Sequence, residues 1–243
     1  MIPDIHMGME DEQACEVALA IRRAIKPSWA VQIGDALDLG ALSSHPRKSF
    51  AEKYASIENE NRKWREFARR LRGRKGLHLT WILGNHEHRL ERFLLRNAPQ
   101  LEKLVTIEQL AGDIADKLVP YVAGAGLKEY HKVGDMLFVH GWSHSRYATS
   151  KHLEHACGRS IAHGHTHRSA HVVVRDVIEN RTIHGVCPGT LCQLQPIYRN
   201  SQPTTWTHGV TVMYEKRGHV TPFNITIESD GTAVLPSGKL VRA

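Results

Sequence analysis

The sequence is poor in several things, and each shortage excludes something. No apolar run approaches the ~20 residues needed to cross a bilayer, so no membrane-spanning helix is expected. The opening residues, Met1 to Gln13, lack the basic stretch and apolar core of a secretory leader. Cysteine is scarce: Cys15, Cys157, Cys187 and Cys192 are the full set, and no two are spaced C-x-x-C. Cys187 and Cys192 flank a Pro-Gly turn and can lie close together, but free buried thiols are the expectation, which points to a reducing, cytoplasmic compartment. Aromatics make up only 7% of the chain, yet 41% of it is hydrophobic, enough for one sizeable core and too much for wholesale disorder. No internal repeat or low-complexity tract is present, so the 243 residues read as a single domain.

What is abundant is histidine, at 17 residues, and positive charge, at +7 net. The charge is uneven. Between Arg47 and Lys75 eleven Lys and Arg face four Glu, a surplus that equals the net charge of the whole chain. Such a segment suits an anionic partner, nucleic acid included; the plainer alternative is a solvated helix face.

Hydrophobic spacing predicts a mixed α/β order. Glu12 to Ile25 has an apolar stripe at helical spacing, closed by Pro27. A long helix is expected from Phe50 to Leu71, stopped by Gly73 and Gly76, within a basic helical insertion or cap over residues 41–76. Arg89 to Arg96 and Thr106 to Asp116 read as further helices, the latter opened by a Thr106/Gln109 capping box. Gly124 to Gly126 reads as a flexible joint. "WAVQIGD", "LHLTWILG", "MLFVHG" and "RSIAHG" read as buried strands, with a helix in "SRYATSKHLEHA"; the strands of the C-terminal third look antiparallel.

Successive strands end in the same kind of residue. The first ends at Asp4-x-His6, the second at Gly34-Asp35-x-x-Asp38, the third at Gly84-Asn85-His86-Glu87, the fourth at His140-Gly141 and the fifth at Gly164-His165-x-His167. Ligand sites of α/β sheets lie beyond the carboxyl ends of their strands. Oxygen and imidazole donors gathered without thiolate suit Mn²⁺, Fe or Zn²⁺ better than Ca²⁺. Each residue alone has a bland explanation: Asp4 as a cap, Asp35 and Asn85 as turn residues, His6 and His140 as satisfied histidines. Only the ensemble favours metal.

These five blocks, in this order, resemble the calcineurin-like metallophosphoesterase superfamily, and "VCPGTL" from Val186 to Leu191 resembles a further turn of that family. The resemblance implies a four-layer α/β/β/α sandwich with two divalent metal ions, Mn²⁺ foremost, with Fe or Zn²⁺ as alternatives. It implies that Asp4, His6 and His167 hold one metal, that Asn85, His140 and His165 hold the other, and that Asp35 bridges them. It further implies a hydroxide between the metals that attacks phosphorus directly. His86 would bind phosphate and protonate the leaving group, held by Asp38, with Glu87 in support. His165 and His167 would each reach a different metal after a turn at Gly164, leaving His163 on its strand. His45, His144, Arg89 and Arg168 follow site loops, and of these Arg89 and His144 are the proposed substrate contacts.

Two departures matter. The protein-phosphatase branch carries arginines where this chain has Leu39 and Leu83, and leucine cannot clamp a terminal phosphate. The expectation is therefore a phosphodiesterase on a nucleotide or nucleic-acid substrate. The compact spacing and "WTHGV" also resemble small phage-type or prophage-type phosphoesterases. Only three residues precede Asp4, one of them Pro3, so the first strand is expected to be vestigial or to begin upstream. The alternatives are a broad phosphomonoesterase, a catalytically silent adaptor, and a nucleic-acid-binding protein with structural metals. Oligomeric state is not legible.

Overall fold

Local chemistry sets where the helices begin and end. Helix α1 (Glu12–Ile25) starts where the Asp11 carboxylate accepts the Ala14 N–H at 2.8 Å, and it stops where Lys26 turns left-handed. Its inward stripe is Ala14, Val17, Ala18 and Ile21. Helix α2 (Ile57–Arg72) is capped by Ser56 and closed at Gly73. The computed structural model describes residues 1–44, 56–73, 76–112, 114–122, 127, 129–196 and 202–243. The stretch from Phe50 to Tyr54, His45, and the joint expected at Gly124 to Gly126 lie outside the described residues.

The architecture is mixed α/β. Strands β1 (Trp29–Gln32), β2 (His78–Ile82) and β3 (Lys117–Val119) form a parallel sheet in that order. A second sheet has the order β4-β5-β6-β8-β7, with β4 at His131–Val133, β5 at Met136–Val139, β6 at Ser160–His163, β7 at Ala170–Asp176 and β8 at Arg181–Cys187. Its centre, β5-β6-β8, is parallel, and its edges are antiparallel. Strands β9 (Gly209–Lys216) and β10 (His219–Thr226) pair as an antiparallel hairpin, as do the short β11 (Thr232–Val234) and β12 (Leu240–Arg242). Three further helices are α3 (His88–Asn97), α4 (Ile107–Ala111) and α5 (Ala148–His155).

The core follows the two-residue period of the strands. In β2, Leu79 and Trp81 face a cluster containing α1 and α2, while Ile82 joins a second cluster. In β5, Met136 and Phe138 enter that second cluster, which draws on both sheets, and Leu137 and Val139 face a third with Leu153 of α5. Strands buried on both faces read as continuous apolar runs, which is why "MLFV" shows no alternation.

Several expectations change. The helix expected from Thr106 to Asp116 has its capping box, but it ends at Ala111 because Gly112 turns to φ 63°. Residues 117–119 are then free to form β3. Within the basic segment, α2 is part of the core: Trp64, Phe67, Ala68 and Leu71 are buried against α1 and Trp81. Three of its six Lys and Arg are matched from elsewhere. Arg70 makes two bonds to Glu16, Lys63 pairs with Glu10, and Arg72 pairs with Asp116. All four cysteines are free, but Cys157 is exposed rather than buried, at the left-handed turn that follows α5. The first residues make bridges rather than a full strand. The Ile2 N–H donates to the Val31 carbonyl at 2.8 Å, and Pro3 has no N–H to continue the ladder. Among the described residues no helix is long and apolar enough to cross a membrane.

One core histidine sets an acid limb for stability. His131 is buried beside Trp29 and Phe138, and its Nε2 has no hydrogen-bond partner. Burial pushes its pKa down to about 4. The unfolded chain takes up this proton below about 6.5, so the stability is whole above that pH and drains away as the pH falls toward 4, by on the order of 3 kcal/mol. His131→Phe should flatten denaturant-measured stability across that window and change it little at pH 7; parallel curves for the two proteins would remove His131 from the acid limb.

Candidate metal centre

All five strand-end blocks meet on one rim. The loop after β1 carries Asp35 and Asp38, the loop after β2 carries Asn85 to Glu87, β5 delivers His140, and β6 delivers His165 and His167. Asp4 arrives on the N-terminal segment, anchored where its carbonyl accepts the Leu191 N–H and the Thr190 hydroxyl, both at 2.8 Å. The "VCPGTL" turn thus fixes the first aspartate.

The residues form two ligand groups. In one, His167 Nε2 lies 3.1 Å from Asp4 Oδ2 and 3.1 Å from His6 Nε2. In the other, His140 Nε2 lies 2.9 Å from Asn85 Oδ1, 3.2 Å from His165 Nδ1 and 3.3 Å from Asp35 Oδ2. Asp35 Oδ2 is also 3.8 Å from His6 Nε2, so this one carboxylate looks toward both groups. All seven residues expected as ligands are therefore in or beside these clusters. Asp38, His86 and His6 form a third convergent group.

The local backbone is bent to achieve this. His6, Asp35, His165 and His167 all have positive φ, between 51° and 69°. Such conformations cost L-residues about 1–3 kcal/mol each and gather where function requires them. Glycine permits the close approaches: a Cβ on Gly84 would lie 2.1 Å from Asp35 Oδ1, and one on Gly164 would lie 2.3 Å from Asp4 Oδ1. In return, the His86 N–H donates to Asp35 Oδ1 at 2.9 Å and the His165 N–H donates to Asp4 Oδ2 at 2.9 Å.

Glu87 holds the two middle loops together. Buried, it accepts the N–H groups of Asp35 at 3.0 Å, Leu37 at 2.9 Å and Gly84 at 2.7 Å. Burial, with the charge of Asp35 nearby, raises its pKa to about 7. His86 is steered from both sides. Its Nδ1 lies 2.9 Å from the Asp38 carbonyl and 3.1 Å from Asp38 Oδ1, and its Nε2 lies 3.0 Å from Arg89 Nη2. Burial favours its neutral form, but Asp35 and Asp38 outweigh burial and its pKa is raised.

The donor set fits divalent cations. Asp4 and Asp35 are buried carboxylates, and imidazole nitrogens converge on them and on each other. The His140 Nδ1 faces the Ile33 carbonyl at 3.0 Å, which leaves Nε2 to the centre. Burial disfavours the charged form of both His140 and His167, yet Asp35 and Asp4 raise His140 to about 9, and Cys192, whose sulfur lies 3.8 Å from Nδ1, together with Asp4 raises His167 to about 10. The negative charge that holds those protons is the charge a metal would neutralise.

The family models, the curated proteins and the solved structures contain no match to this chain. The chemistry of the site thus rests on its own atoms.

Other expected residues fall into place differently. His163 is buried between Thr149 and the Gly164 carbonyl and stacked on His152, away from the ligand groups. The ring of exposed His144 meets His165, with Nε2 to Nε2 at 3.0 Å. Arg168 bonds the Ser145 carbonyl and so fastens the loop that carries His144. Sequence reasoning missed three supports. Glu60 of α2 accepts the Leu39 N–H, and burial raises its pKa to about 8. Gln32 ties Pro3 to Gly34. Trp206 packs edge-on to His167 at 4.2 Å. Glu60 and Gln32 carry no local signal; Trp206 sits within the quoted "WTHGV" stretch.

Glu87→Ala leaves three interior N–H groups without an acceptor, each costing about 1–3 kcal/mol. A loss of at least about 3 kcal/mol is expected in denaturant titration, with Glu87→Gln intermediate because it keeps one oxygen. A loss under about 1 kcal/mol for the alanine variant would deny Glu87 this role.

Proposed function

We propose that the chain is a binuclear metal-dependent phosphoesterase, a member of the calcineurin-like superfamily, acting on phosphodiesters of nucleotides or nucleic acid. One observation carries this: Asp35 faces two ligand groups, and beside them His86 stands against Asp38 and Arg89, in the place the resemblance gives to an acid rather than a ligand. The sequence of apolar clusters, with α1 and α2 on one sheet, a cluster drawing on both sheets, and α5 on the other, supports the four-layer sandwich.

Asp4, His6 and His167 would hold one cation, Asn85, His140 and His165 the second, with Asp35 between them. Two divalent cations, when bound, supply Lewis acidity toward phosphoryl oxygen and lower the pKa of water. Asp38 fixes the His86 tautomer through Nδ1 and leaves Nε2 turned to the reacting centre. The two flanking carboxylates outweigh burial and Arg89 and favour its protonated form, which suits a group that delivers a proton from Nε2 to a leaving oxygen once Arg89, itself a donor, turns from Nε2 to the phosphate. Arg89, whose Nη1 donates to the Asp38 carbonyl at 2.7 Å, brings one guanidinium to the phosphate position. Leu39 and Leu83 are buried in the core and add no second clamp. One arginine matches the single negative charge of a diester better than the double charge of a terminal phosphate.

The test is hydrolysis by chelator-stripped protein reloaded with Mn²⁺, with an activated nitrophenyl diester beside its monoester. Diester turnover that needs the metal and falls about 10²–10⁴-fold in His86→Ala is expected. Preference for the monoester would convert the proposal to a general phosphatase. No turnover with Mn²⁺, Fe²⁺ or Zn²⁺ would favour a silent adaptor. Equilibrium dialysis should find two metals per chain, and Asp35→Asn should weaken both while Asp4→Asn weakens one; a single site unaffected by Asp35→Asn would end the binuclear assignment.

A further inference from the structure

Positive charge on α3 is arranged unlike that on α2. Along α3 the residues Arg89, Arg92, Phe93 and Arg96 fall on one helical face, while Leu90 and Leu94 turn into the core. That face lines a cleft of about 650 Å³. Asn85 and Tyr121 also line it, and no Asp or Glu does among the described residues. Glu91 faces a different cavity, with Glu87, Glu102 and Glu108. Among the described residues neither Arg92 nor Arg96 has an ion-pair or side-chain hydrogen-bond partner. On α2, by contrast, four of the six Lys and Arg are matched by a carboxylate, Arg62, Lys63, Arg70 and Arg72, leaving Arg65 and Arg69, and none of the six lines the cleft. Unmatched guanidinium groups lined up in a concave site repel one another unless an anion joins them.

The spacing says what kind of anion. Arg89 to Arg96 spans seven residues, about 10 Å along the helix axis, a row longer than one phosphate and suited to several along a backbone. Arg89 starts the row within hydrogen-bonding distance of His86 and Asp38. A mononucleotide needs only that first position. Between the arginines stands Phe93, 40% exposed, and Tyr121 packs against His88 and His140. Aromatic faces between cations are the means by which single strands are held, each base stacking while the backbone follows the charge.

We propose that this cleft is a track for single-stranded polynucleotide, with Arg92 and Arg96 on successive phosphates, Phe93 under a base and Arg89 at the bond to be cut. The inference rests on the diesterase reading for its direction, and its test does not need turnover.

The test is fluorescence anisotropy of labelled oligothymidylate, about twelve nucleotides long, with the full chain in chelator so that nothing is cleaved. For the Arg92→Ala/Arg96→Ala double variant, the slope of log affinity against log salt should shrink by about 1.4, from 0.7 per lost single-strand contact. Phe93→Ala should weaken binding at least about five-fold with the slope unchanged. Arg217→Ala/Arg242→Ala, exposed charges outside the cleft, serves as the control for net charge, and melting temperatures confirm folding. Equal losses in the two double variants would reduce the track to general basicity and overturn it. So would duplex or a phosphorylated peptide bound as tightly as the single strand. A failed hydrolysis assay leaves this measurement intact, and a failed track leaves hydrolysis of small diesters intact.

Discussion

One carboxylate holds the rim in shape. Glu87 takes N–H groups from the loop after β1 and from the loop after β2, and those loops carry Asp35, Asp38, Asn85 and His86. Without that shared acceptor nothing local compels Asp35 into its left-handed conformation, and Asp35 is the carboxylate that faces His6 of one group and His140 of the other. The same logic recurs at smaller scale. Asp4 receives the His165 N–H, and Asp38 receives both His6 and His86. Each acid thus orders a neighbouring loop as well as facing the centre, and the strain of four positive-φ residues is met by these bonds.

Much of this was legible because parallel strands make a simple promise. Their carboxyl ends lie on one side, so short polar blocks closing apolar runs must meet. Asp4, Asp35, Asn85, His140, His165 and His167 were found that way. What was not legible depends on long-range packing. Glu60 sits in the most charged helix of the chain, where sequence offers no reason to set one Glu apart, yet its neighbours bury it against Leu39. The end of α4 was missed because a capping box announces only a start, while Gly112 ends the helix and gives the next residues to β3.

Charge counting left two readings of the basic segment open, an anionic partner or a solvated helix face. The segment from Arg47 to Lys75 holds the surplus, but in its described part that surplus meets Glu10, Glu16 and Asp116 from distant parts of the chain. On α3, Arg89 meets Asp38 and His86, while Arg92 and Arg96 meet no carboxylate among the described residues. A cation's availability to a ligand is set by what the fold brings beside it, and composition alone cannot see that.

The anchoring of Asp4 has a temporal side. Its carbonyl is held by Thr190 and Leu191, and the Met1 carbonyl by the Thr211 N–H. These are among the most distant pairings along the chain. During synthesis the Asp4 segment is made 186 residues ahead of Thr190 and waits for it before it finds its place. Closing so large a loop is slow and comes late in folding. The centre is therefore assembled as one of the last events, and a chain still being made can have both sheets begun and no complete site.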